Sequence, residues 1–139
     1  MSADHLVPLL KHTLAGLSSA IDTALAPHGI DGRELAVLRT FAGSSPRSQQ
    51  DAARDLQVDR TTMVALVDAL EAKDLVERQR DPHDRRRNVV ELTATGRRTL
   101  HAAETAARRA EARFLAPLDD AAVAQLRTTL QALTTPRDG

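Results

Sequence analysis

The chain has 139 residues, 42% of them hydrophobic, which is one domain in size with enough apolar material for a core. Its 19 Lys and Arg balance its 19 Asp and Glu, so a partner recognised by charge must read a local field and not a net one. There is no cysteine, which excludes disulfides, thiolate metal sites and a cysteine redox switch; with two Phe and no Trp or Tyr, the core must be mainly Leu, Val and Ala, a composition that favours helices.

From the N-terminus, the spacing predicts a helix from about Asp4 to Leu25, with Leu6, Leu10, Leu14, Leu17, Ile21 and Leu25 in one stripe and Leu9 beside it. That stripe has too few partners within its own segment. No basic region precedes a continuous apolar stretch here, and the longest apolar runs anywhere are too short to span a bilayer. The expectation is a cytoplasmic protein without a membrane partner. A second helix, Asp31 to Phe41, has Asp31 and Glu34 at capping spacing and turns Leu35, Leu38 and Phe41 to the core; Gly43, Ser44, Ser45 and Pro46 end it.

Two short helical patterns follow across a tight break. Ser48 to Leu56 opens with Ser48 and, three residues on, Asp51, and its apolar side is Ala52, Ala53 and Leu56. After Gln57 and Val58, Asp59 can cap a helix running to about Lys73, in which Met63, Val64, Leu66, Val67 and Leu70 make one broad buried face. Its first turn exposes Arg60, Thr61 and Thr62, a long donor fork and two short hydroxyl side chains suited to close approach to base edges.

The next segment alternates like a β-hairpin. Leu75 to Arg80 puts Val76, Arg78 and Arg80 on one face and Glu77 and Gln79 on the other; beyond the loop, Val90 and Leu92 point one way and Val89 and Glu91 the other. Between them, DPHDRRR places Arg85, Arg86 and Arg87 on a turn-rich tip. Alone, this loop reads as a solvated charged turn. After two helices and a tight turn it reads as the wing of a winged helix-turn-helix, whose guanidinium groups suit a narrow, negative groove. Five arginines from Arg78 to Arg87, against Asp81 and Asp84, supply a modest local field, so the expected binding needs two copies of the wing and weakens quickly with salt.

Thr93 then caps a long helix from Ala94 to about Leu115, carrying Leu100, Ala103, Ala107, Ala110 and Phe114; Pro117 breaks it, and Asp119 can cap a last helix with Val123, Leu126, Leu130 and Leu133 on one side. First and last helices thus both offer apolar stripes, to each other or to something outside the chain. The expected fold is mainly α with a small β-hairpin wing (α+β), a single domain over 1–139. Within it, 31–93 is the winged helix-turn-helix region, while 1–30 and 94–139 form a helical dimerisation region.

The segment from Leu35 to Leu100 resembles the MarR family of transcriptional regulators. The resemblance rests on the stretch VDRTTMVALVDALEAKDLVER, the wing DPHDRRR and the following VVELTATG, with the spacing from Leu70 through Asp84 and Arg86 to Leu92, Thr93 and Gly96. It implies a homodimer joined through its N- and C-terminal helices, acting on double-stranded DNA at a palindromic operator whose half-sites lie about one helical turn apart. Arg86 would enter the minor groove, with Asp84 supporting the wing through a charge-assisted hydrogen bond to it; Arg85 and Arg87 would meet phosphates or solvent. Arg60, Thr61 and Thr62 match the start of the recognition helix, and Ser48 and Gln49 the phosphate-contacting start of the helix before it.

The resemblance also implies a repressor of nearby genes released by a small anionic or phenolic effector, bound between the dimer helices and the reading head; residues that could line such a crevice are His12, His28, Arg33, Arg39 and Phe41. Two departures from the family pattern stand out. Val64, Ala65 and Ala69 occupy recognition-helix positions where relatives often carry Thr or Arg, so base-edge contacts should be few. Asp74 replaces the Gly that usually ends that helix, at a small expected cost in stability.

Other chemistries find little footing. No two of the five histidines are three or four apart, leaving His101 with Glu104 as a lone pair on one helix face, so neither a metal nor another cofactor is expected. No phosphate-binding Gly loop or nucleophile elbow is present, and no enzyme is expected. The rival from another class is a winged-helix dimer that serves as a protein-interaction module with little or no specific DNA binding. The neutral charge and sparse recognition helix favour it, and the arginine wing opposes it.

Overall fold

A computed structural model describes residues 4–43, 45–84 and 86–136. The elements run α1 (Leu6–Leu25), a 3-10 turn (Ala26–His28), α2 (Gly32–Thr40), β1 (Arg47–Ser48), α3 (Gln49–Asp55), α4 (Arg60–Ala72), β2 (Val76–Arg80), β3 (Asn88–Leu92), α5 (Ala94–Phe114) and α6 (Asp120–Thr134). The architecture is mainly helical with an antiparallel hairpin, as the alternation and helical periods require.

Side-chain caps set most helix starts. Asp31 and Glu34 form a reciprocal capping box, the Glu34 N–H donating to Asp31 Oδ1 at 2.9 Å and the Asp31 N–H to Glu34 Oε1 at 3.2 Å. Ser48, Asp59, Thr93 and Asp119 each accept a backbone N–H three residues on, at 3.0, 2.7, 2.9 and 2.8 Å. Each such cap stabilises its helix by about 1 kcal/mol. α1 has no side-chain cap and starts at Leu6, two residues inside the expected Asp4. α4 ends with Asp74 in the left-handed region at φ 60°, the conformation that the Gly-to-Asp departure demanded. Gln57, at φ 55°, makes the tight turn between α3 and α4.

The sheet has one more strand than the hairpin. Its order is β1-β3-β2, all antiparallel, with Val76 opposite Leu92, Arg78 opposite Val90 and Ser48 opposite Val89. β1 occupies the free edge of β3 and so ties the start of α3 to the wing.

Phe41, Leu25, Leu35, Leu38, Met63, Leu70, Val37, Val67, Val76 and Val90 are the largest fully buried side chains, enclosed by α2, α4, α5 and the sheet. Ala103, Ala107 and Ala110 are buried along α5, against which α1 packs. α6 has no buried residue, and Leu126, Leu130 and Leu133 on it, like Leu6, Leu10 and Leu14 on α1, stay exposed. Among the described residues no helix is long and apolar enough to cross a membrane.

Candidate nucleic-acid interface

The start of α4, the start of α3 and the wing converge on one face. Ser48, Gln49, Gln50, Arg60, Arg86, Arg87 and Asn88 line a shared depression there, so five of the sequence-predicted contact residues are neighbours in space. Arg60 and Thr61 are exposed at the N-terminus of α4, while Thr62 is half-buried behind them. Asp59 caps that terminus, and its carboxyl is held below the ordinary range chiefly by the Thr62 backbone N–H, then by the Thr62 side chain. Gln50 and Asn88 were missed by sequence reasoning. Gln50 follows Gln49 at the amine end of α3, the signal that could have found it, whereas Asn88 joins only through strand pairing.

The arginines divide into two groups. Arg78 is enclosed: its Nη1 donates to Asp68 Oδ1 at 2.6 Å and Glu71 Oε1 at 3.3 Å, its Nε to Gln49 Oε1 at 3.1 Å, and its Nη2 to the Val64 carbonyl at 3.2 Å. It therefore clamps β2 to α3 and α4 and adds little to the outward field. Arg87, expected at a phosphate or in solvent, folds back instead onto α3, its Nη2 donating to Ser48 Oγ at 2.8 Å and Asp51 Oδ2 at 3.3 Å. Its Nε is buried without a hydrogen-bond partner. Ser48, expected at a phosphate, is 5% exposed and has its oxygen taken by the cap and by Arg87. Among the described residues, Arg60 and Arg86 of this face make no ion pair, and neither does Arg80 on β2. Arg85 lies outside the described residues.

Asp84 supports the wing through backbone. Its Oδ1 accepts the Arg86 N–H at 3.0 Å and its carbonyl the Arg87 N–H at 3.0 Å, while Asp81 Oδ1 accepts the His83 N–H at 2.9 Å. The expected bond from Asp84 to the Arg86 guanidinium is replaced by this turn, because a side chain two residues back reaches the amide sooner than the guanidinium.

A second feature opens between α1, α2 and α5, a crevice of about 520 Å³ lined by Ser18, Ile21, Asp22, Gly32, Arg33, Leu35, Ala36, Arg39 and Ala107. Arg33 and Arg39 of the expected lining are there. Phe41 is 2% exposed in the core, His12 lies exposed on α1 and His28 sits half-buried in the 3-10 turn, and none of the three lines the crevice. Ser18 and Asp22 were missed, because their place on the wall depends on how α1 crosses α2. Glu104, half of the lone histidine–glutamate pair, is engaged by Arg39 Nε at 2.5 Å and Nη2 at 3.0 Å. Among the described residues no cluster of three or more His, Asp or Glu is placed to hold a metal ion.

A family model described as MarR family matches residues 28–87. The chain is similar to the protein assigned as transcriptional regulator of the hcr operon in Thauera aromatica, 31% identical over 113 residues that span 81% of this chain and 68% of that protein. Among solved structures it is similar to a MarR-family transcriptional regulator from Rhodococcus sp. RHA1, with TM-score 0.86, 30% identity and coverage of 97% of this chain and 99% of that one. It is also similar to CouR, a transcriptional repressor. CouR from Rhodococcus jostii RHA1 bound to p-coumaroyl-CoA gives TM-score 0.83 and 32% identity over 99% of this chain and 96% of that one. CouR bound to a 23-mer DNA duplex gives TM-score 0.90 and 29% identity over 96% and 94%.

Proposed function

The chain belongs to the MarR family of winged helix-turn-helix transcriptional regulators, and from that premise we propose that it works as a homodimeric, sequence-specific repressor of nearby genes, released by a small anionic or phenolic ligand. It is a DNA-binding regulator and not an enzyme. The observation that carries the reading is the convergence of Arg60, Gln49 and Arg86 on one face, with the exposed start of α4 between them. Two arginines on separate elements, one at the end of a helix and one on a hairpin tip, can meet a major groove and the adjacent minor groove together. CouR, similar over nearly the whole chain, has been solved on a DNA duplex.

Homodimerisation is supported by the apolar groove between α1 and the α5–α6 end, lined by Leu6, Leu10, Leu14, Phe114, Leu126 and Leu130. Five leucines on α1 and α6 that are 40% or more exposed, Leu6, Leu10, Leu14, Leu130 and Leu133, would leave a monomer with a large uncovered apolar patch. Ligand release is supported by the crevice beside α2 and by CouR having been solved with p-coumaroyl-CoA.

Selection of bound fragments from the source genome, at two salt concentrations, tests the proposal. A recovered palindrome, enriched beside the protein's own gene, is the expected result. Recovery of only sequence-random, salt-sensitive fragments would overturn it in favour of a protein-interaction module, a reading that the small number of unpaired arginines on the DNA-facing side keeps in play.

A further inference from the structure

Gln49 stands where the wing, α3 and the start of α4 meet. It lines the depression that holds Arg86 and a neighbouring one of about 150 Å³ with Ala53, Arg60 and Met63. Behind it is the guanidinium of Arg78, whose Nε donates to Gln49 Oε1 at 3.1 Å. A guanidinium has donors and no acceptor, so the amide edge turned toward Arg78 must be the oxygen. Flipping the amide would set its NH2 against an N–H and lose the bond. Gln49 Nε2 is therefore the edge left over; it donates to no protein group among the described residues and is open to solvent.

The group that holds this oxygen is itself fixed. The Arg78 side chain is 19% exposed, its Nη1 donates to Asp68 and Glu71, its Nη2 to the Val64 carbonyl, and its backbone N–H to Glu71 Oε2 at 3.2 Å. Gln50, one residue on, is exposed and makes no side-chain hydrogen bond among the described residues. Of the two amides at the start of α3, one thus has a set face and the other can turn either edge outward. A set NH2 matches a phosphate oxygen, which only accepts. It cannot form the two-edged contact that a glutamine makes with adenine, since that contact needs the amide oxygen as well.

We infer that Arg78 is a positioning residue for DNA binding, which dedicates Gln49 to donating into a backbone phosphate without choice of base. Arg78 touches no DNA itself and acts through the amide it orients. The inference rests on the DNA-facing assignment of this surface, and neither on repression nor on a ligand.

Fluorescence polarisation of the full chain on the selected operator and on a sequence-random duplex of equal length tests this. The variants are Gln49→Ala, Gln49→Glu, Arg78→Lys and the double variant Gln49→Ala with Arg78→Lys. Gln49→Ala should weaken binding to both duplexes alike, by about tenfold, because phosphate contacts carry no sequence information. Gln49→Glu should lose at least as much while its melting temperature does not fall. A carboxylate suits Arg78 and the start of a helix, but it repels phosphate. Arg78→Lys gives up the fork that serves Gln49 and the other acceptors together. It should cost roughly threefold with Gln49 present and nothing further in Gln49→Ala. A factor that is the same in both backgrounds, as a purely structural clamp would give, overturns the positioning role. A Gln49→Ala loss confined to the operator overturns the phosphate in favour of a base edge, and unchanged affinity in Gln49→Glu overturns the contact altogether. If selection recovers no operator, the sequence-specific reading falls and the random duplex alone still decides the inference. If the unmodified chain binds neither duplex, the DNA-facing assignment falls with it.

Discussion

Arg87 donates from Nη2 to the Ser48 hydroxyl oxygen at 2.8 Å, across 39 residues of sequence, while the same oxygen accepts the Asp51 N–H that starts α3. The wing and the first helix of the helix-turn-helix are thus joined at a shared atom. Asp51 completes the joint, its carboxyl held below the ordinary range chiefly by the Ser48 hydroxyl, with Arg87 and Arg54 adding to the effect against the opposing desolvation. The consequence is a division of labour: Arg87 ties the wing to α3, and Arg86 beside it is left exposed and without an ion pair among the described residues.

Because one oxygen serves both bonds, Ser48→Ala and Arg87→Ala should not add. Ser48→Ala loses the cap, about 1 kcal/mol, and orphans part of Arg87. A double-mutant cycle by urea denaturation should give a coupling of about 0.5–1 kcal/mol, modest because Arg87 and Asp51 are partly exposed. Strict additivity would mean that the joint carries no energy.

Arg86→Ala should behave in the opposite manner. Its guanidinium makes no ion pair among the described residues, so the melting temperature should stay unchanged. Affinity for the selected operator should fall by about 1–3 kcal/mol, roughly fivefold to 150-fold, and the dependence on salt should flatten by about one ion. Fluorescence polarisation over a salt series reads both. Unchanged affinity would remove Arg86 from the groove.

The contrast marks what the residues disclosed in advance and what they did not. The capping pairs Asp31–Glu34, Ser48–Asp51 and Asp59–Thr62 are three-residue relations, visible in sequence and present in the fold. The hairpin alternation was equally local. The partners of Arg78 and Arg87, up to 39 residues away, were not, and two arginines counted toward the outward field prove to be internal clamps. β1, two residues long, has no period to detect and exists because β3 offers an open edge. For the crevice, His12, His28 and Phe41 fell away because residue type shows polarity or bulk, while the lining follows from the crossing of α1 over α2.

The Arg39–Glu104 ion pair predicts a signed pH dependence. Its hydrogen bond to Arg39, opposed in part by desolvation, holds the Glu104 carboxyl below the ordinary value of 4.5. A depressed carboxyl contributes stability that is complete above its unfolded value and lost as pH falls through the lower folded one. The gap in melting temperature between the unmodified chain and Glu104→Gln should therefore be constant from neutral pH down to about pH 5, then close on further acidification. Half-exposure of Arg39 limits the gap to about 1 kcal/mol, a few degrees for a domain of this size. A gap that widened in acid would contradict the assignment of Glu104 as a charged partner.

Gly96 controls how closely α5 approaches the wing. It lies buried in the first turn of α5, its N–H donating to the Thr93 hydroxyl at 2.9 Å, while the Thr93 N–H donates to the Leu75 carbonyl at 3.0 Å. A Cβ placed on Gly96 would come within 1.9 Å of that same carbonyl oxygen and 2.9 Å of its carbon. Those atoms are backbone at the start of the hairpin, so no rotamer change relieves the clash. Either α5 lifts from Leu75, breaking the Thr93 bond, or the hairpin shifts relative to α4. Gly96→Ala should accordingly cost at least the upper end of the overpacking range, about 3 kcal/mol, despite the better helix propensity of Ala. Urea denaturation checks the loss, and Gly43→Ala, where an added Cβ meets nothing within 4 Å, supplies the control. If Gly96→Ala keeps full stability, α5 can dock on the wing without this contact, and the position of α5 is set elsewhere.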